Sequence, residues 1–99
     1  MITLGIEAIT KERSEQLIKH GRTREDDLIL NNTGQLAYAG TKLADPHKFP
    51  TLDDVPDGWD LNIWKRMIEK PYKERVIIAG ALLAAEIDRL IMIEVAAKA

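Results

Sequence analysis

The chain contains no cysteine. That excludes disulfides, thiolate zinc centres and thiol nucleophiles, so a bound metal would have to be held by oxygen or imidazole. Histidine is scarce as well: there are two, His20 and His47, too far apart in sequence to act as a helical ligand pair. None of the six glycines lies in a phosphate-binding loop, and there is no nucleophile elbow. No charge sign dominates either. With 14 basic and 16 acidic residues the formal net charge is −2, which gives no overall field toward nucleic acid or an anionic membrane. A local basic group, Lys65, Arg66, Lys70, Lys73 and Arg75, reads as a solvated helix junction, with a phosphate-binding surface as the alternative.

Long apolar runs are missing too. The richest stretch, Val76 to Leu83, is soon followed by Glu86, Asp88 and Arg89, so it is too short to span a bilayer. The first ten residues carry Glu7 and lack a basic start, unlike a secretory signal. A cytoplasmic protein is the expectation. No internal repeat or period-two alternation is present, which argues against strands.

What is present points to helices. Ninety-nine residues, 45% of them apolar and 30% charged, suit one globular domain over 1–99. Ile2, Ile6 and Ile9 recur at helical spacing, and a first helix is expected from about Thr3 to His20, closed by Gly21. The segment Asn31-Asn32-Thr33-Gly34-Gln35 resembles a capped start, with Asn32 as the cap and Gln35 reaching back. A short second helix follows, and its Ala37, Ala39, Gly40 and Ala44 would let a neighbour approach closely. Asp45-Pro46 ends it.

Pro46, Pro50 and Pro56 predict a loop with at most one helical turn near Leu52 and Asp53. Asp60 can cap a third helix through about Met67, with Trp59 stapled to Trp64. Pro71 then opens a last helix from Tyr72 to about Ala97, roughly 36–39 Å long. The expected fold is therefore an all-α, single-domain bundle of about four helices. The surplus apolar face on its long C-terminal helix, including Ile87, Ile91, Met92 and Val95, predicts a homodimer.

Polar residues that interrupt apolar stripes are the candidates for chemistry. On the first helix the stripe of Ile2, Ile6 and Ile9 continues as Arg13, Gln16 and His20, with Glu12 and Glu15 beside it. On the last helix Glu86 stands among Ala79, Leu82 or Leu83, Leu90 and Ile93. A lone buried carboxylate is costly, so Glu86 must pair with a base, bind a metal or protonate. Arg13 is the first-choice partner. A third acidic group, Glu25-Asp26-Asp27, falls between the first two helices. Folded over Glu12 and Glu15, it would form an oxygen-rich site suited to magnesium or manganese; left in water, it would be an ordinary solvated loop.

Taken in order, Glu12-Arg13 with Gln16, Gly21, Asp26-Asp27, Asn32-Thr33-Gly34-Gln35-Leu36-Ala37, Trp59-Asp60, Trp64-Lys65 and the block from Ala79 to Leu90 resemble a group of small phage and prophage proteins. That group is in turn similar to the MazG-like all-α nucleoside triphosphate pyrophosphohydrolases. The resemblance implies magnesium held by carboxylates from facing helices, a nucleotide substrate, and release of pyrophosphate. It puts Glu12 and Glu15 in the place of the first acidic pair and aligns Gln35 and Tyr38 with the second, where neither can supply charge. Ile78 occupies a position that is often lysine in the phage group. Asp26, Asp27 and Glu86 would then have to complete the ligand set, with Arg13 and Gln16 contacting the nucleotide. The alternative is a non-enzymatic phage or mobile-element accessory protein that keeps the helical scaffold and binds a protein or nucleotide.

Overall fold

A computed structural model describes residues 1–18 and 31–98, and all of its regular structure is helical. Among the described residues four α-helices are defined: α1 (Leu4–Ile18), α2 (Gln35–Ala44), α3 (Leu61–Ile68) and α4 (Tyr72–Lys98), with a 3-10 turn at Leu52–Asp54 between α2 and α3. The expected all-α bundle with a long last helix is what forms. None of the described helices is long and apolar enough to cross a membrane.

Local chemistry accounts for most of the boundaries. Asp60 caps α3 by accepting from the Ile63 amide at 3.0 Å, and Trp59 packs edge-to-face on Trp64 with ring centroids 6.2 Å apart. Thr51 and Asp54 form a capping box around the 3-10 turn. Asp45 is extended, as the following Pro46 requires, and ends α2. The start of α2 is different from the expectation: Gly34, with φ of 84°, occupies the cap position and no side chain caps the helix. Gln35 does fold back, but its Oε1 accepts from the Thr33 amide at 2.8 Å, and Asn31 rather than Asn32 is the buried asparagine.

Among the described residues the core is built by α2, α3 and the first half of α4. Leu36, Leu43, Trp64 and Leu82 are fully buried in one cluster with Ala39, Ala79 and Ala85. The small residues of α2 serve as expected: a Cβ on Gly40 would lie 3.3 Å from the Leu83 side chain and 3.4 Å from the Ala79 carbonyl, so α2 and α4 touch almost backbone to backbone.

The end of α2 is held by α4. Tyr72 donates its hydroxyl to the Ala44 carbonyl (2.9 Å), and Arg75 donates to the carbonyls of Leu43 (3.4 Å) and Lys70 (3.1 Å). The contacts to Ala44 and Leu43 satisfy carbonyls that the end of α2 leaves open, while the one to Lys70 ties Arg75 to the connection before α4. Arg75 is buried with its guanidinium 4.7 Å from the Phe49 ring centroid and 5.2 Å from that of Tyr72. It therefore does not belong to the exposed basic group in which the sequence placed it.

Helix α1 departs from its expected orientation. Ile2 and Ile6 are exposed, and the only buried residues of α1 are Arg13 and Gln16. No residue of α1 belongs to the core cluster. The helix is fastened to α4 where Ile9 lies over Gly80, so closely that a Cβ at position 80 would come within 2.6 Å of the Ile9 side chain. Steric room at Gly80, more than the amphipathic pattern of α1, fixes this contact.

Candidate functional site

The polar half of α1 does meet α4, and the residues singled out there share one seam. Arg13 is 8% exposed and Gln16 2%. The acid that reaches Arg13 is Asp88, whose Oδ2 accepts from Nη2 at 3.2 Å. Glu86, the partner expected from sequence, is taken by its own helix neighbour: Arg89 donates to both Glu86 oxygens through Nε and Nη2, the latter at 3.1 Å. The reason is geometric. Positions three apart on a helix lie on one face, so Arg89 reaches Glu86 without any tertiary arrangement, whereas Asp88 sits two positions further round and faces α1.

Gln16 donates to Glu12 Oε2 at 3.3 Å along α1. The arrangement is incompletely satisfied: Arg13 Nε and Nη1 and Gln16 Oε1 are buried without a hydrogen-bond partner. A buried polar group left unpaired costs on the order of 1–3 kcal/mol, so packing here is under tension between a desolvated guanidinium and a single half-exposed carboxylate.

As a metal site the described residues do not fit. Among them no three His, Asp or Glu side chains come together as ligands for a cation. Glu86 is committed to Arg89 and Glu12 to Gln16, and the buried Arg13 brings positive charge where a divalent ion would need negative charge. Asp26 and Asp27, and with them Glu25, His20 and Gly21, lie outside the described residues. Gln35, aligned by resemblance with an acidic position, is buried at the start of α2; Tyr38 is exposed, with Lys42 Nζ 5.5 Å from its ring centroid.

One shallow hollow is lined by Lys11, Ser14, Glu15 and Ile18 on α1, and another by Asp60, Asn62, Ile63, Lys65, Arg66 and Glu69 on α3. Neither combines a deep apolar lining with convergent polar groups, the usual form of a small-molecule site. Comparison with protein families, curated proteins and solved structures returns no match to this chain.

The second feature that stands out is apolar. Beyond Ala85 no described residue of α4 is buried. Val95 is 63% exposed, Ile87 57% and Ile91 50%, the three largest exposures among the large apolar side chains of α4. The sequence already held the signal, because the apolar pattern runs on past the length that the other helices can cover.

Sequence reasoning missed Asp88, Arg89 and Arg75. The Glu86–Arg89 pair was readable from its spacing of three. Arg75 carried a subtler sign, a cation in the first turn of a helix, where the dipole disfavours it and another role has to hold it.

Proposed function

We propose that this chain is a non-catalytic helical module whose outer half of α4 docks a protein partner, an accessory role of the kind implied by the resemblance to small phage proteins. One observation carries the reading: from Glu86 to Lys98 the helix is rich in aliphatic side chains and none is buried. A helix that is apolar on several faces is normally enclosed, and contiguous apolar surface on a folded chain marks an interaction site. The internal pairing of Arg13 with Asp88 and of Glu86 with Arg89 supports the same reading, because those charges are spoken for within the chain.

The competing reading, a magnesium-dependent nucleoside triphosphate pyrophosphohydrolase, is favoured by Glu12 and Glu15, half-buried three residues apart on α1. Calorimetry with magnesium and a mixture of nucleoside triphosphates, with pyrophosphate assayed in parallel, separates the two. The expected result is no turnover. Magnesium-dependent pyrophosphate release that Glu12→Gln abolishes would overturn the proposal.

A further inference from the structure

We infer that α1 is a releasable clasp: it leaves α4 as one unit while α2, α3 and the first half of α4 stay folded, and the burial of Arg13 sets how often it does so. This release goes beyond the docking role proposed for the outer half of α4 and requires nothing of it. The apolar side chains of α1 point to it first. Of the five large ones on the helix, Leu4, Ile6, Leu17 and Ile18 are exposed and Ile9 alone is part-buried. A helix in a folded chain draws most of its stability from a packed apolar face, and four of these five side chains contribute little to one.

What α1 buries instead is polar. Its buried residues are Arg13 and Gln16, and Arg13 Nε, Arg13 Nη1 and Gln16 Oε1 are enclosed without a partner. The Gln16 amide nitrogen is spent along α1, on Glu12. Of the nitrogens of these two side chains, Arg13 Nη2 alone reaches α4, at Asp88. Each stranded group regains water when α1 lifts, so desolvation works against the closed state at the very residues that close it.

The rest of the bundle does not lean on α1. The core cluster is drawn from α2, α3 and α4 without a member from α1, and Tyr72 and Arg75 tie the end of α2 to α4. Away from α4, a helix of 15 residues is marginal in water, so release melts α1 and frees its amides. On α4, Gly80, Ala84 and Asp88 recur every four residues and form one row. Ile9 lies over the first of them and Arg13 holds the last, so the row is uncovered in one step. Openings of this kind lie below the free energy of global unfolding.

Native-state hydrogen exchange of the full chain tests this. The amides of Ala8 to Gln16 should exchange roughly a hundredfold faster than those of Ala39 to Leu43 on α2, with little response to dilute urea, while the α2 amides respond steeply. Arg13→Met should slow the α1 amides by about threefold to tenfold, and Ile9→Ala should speed them by about tenfold, both with unchanged helical circular dichroism. Amides of α1 that match those of α2 in rate and in urea response would mean that α1 opens only with the whole chain, and would overturn the clasp. Amides of α1 that are unchanged or faster in Arg13→Met would overturn the part given to Arg13.

Discussion

Arg13 and Asp88, 75 positions apart, are the charged pair that ties α1 to α4, with Nη2 to Oδ2 at 3.2 Å. The two partners are unequal. The Arg13 side chain is nearly enclosed and two of its three nitrogens have no partner, while the Asp88 carboxylate is 39% exposed. Most of the desolvation cost therefore falls on the guanidinium, and substitutions at the two ends should behave differently.

Arg13→Met should be close to neutral or mildly stabilising, because it removes a buried cation whose pairing is incomplete and keeps its volume. Asp88→Asn should cost about 1–2 kcal/mol, less than the loss of a partner in a fully buried pair, since water reaches the carboxylate. Urea unfolding of both single variants and the double variant measures this; a larger loss from Arg13→Met than from Asp88→Asn would contradict it.

Gly80→Ala should act locally. The new methyl collides with Ile9, and overpacking costs about 1–3 kcal/mol, but alanine returns roughly 1 kcal/mol of helix propensity. The melting temperature should change little, while hydrogen exchange of the α1 amides speeds up and that of α2 stays as it was.

Trp64 is fully buried and donates its indole N–H to the Thr51 carbonyl at 2.9 Å. Trp64→Phe keeps a large apolar ring and removes one of the two hydrogen bonds to that carbonyl, which retains the Asp54 amide at 3.1 Å, for a loss of about 0.5–1.5 kcal/mol. Trp64→Ala adds a cavity and should cost about 3–5 kcal/mol. Denaturant titration followed by circular dichroism should rank the two in that order.

Arg75→Lys should destabilise by about 1–3 kcal/mol, because an ammonium cannot reproduce a planar fork that serves two carbonyls and stacks on Phe49 and Tyr72. Lys73→Ala, an exposed neighbour in the same basic group, should stay within about 0.5 kcal/mol. Equal effects at the two sites would refute the clamp.

The acid limb of the stability profile should report Asp54. The Thr51 amide donates to its Oδ2 at 2.9 Å and holds the carboxyl below the ordinary aspartate range, with smaller help from the Thr51 hydroxyl and Lys42. A lowered folded value means that the contribution is complete above the unfolded pKa, near 4, and is lost as pH falls through the folded one. Asp54→Asn should therefore flatten the profile below about pH 4 and leave its shape near neutrality unchanged.

Much of the fold was legible in the sequence because its determinants are local. Asp60 capping the amide three residues on, Trp59 meeting Trp64 one helical turn later, and the breaks at Pro46, Pro50 and Pro56 all act within a few residues. So does the apolar run on α4 that outlasts its neighbours. The candidate site was legible only as a set of polar residues on facing helices. Its pairing was not: Arg13 chose Asp88 over Glu86 because of the rotation of one helix against another, and that rotation depends on the contact of Ile9 with Gly80. The periodicity of Ile2 and Ile6 likewise suggested a buried face that α1 does not have. Spacing along one helix tells which residues share a side, but which side turns inward, and which distant charge waits there, is settled only when the helices pack.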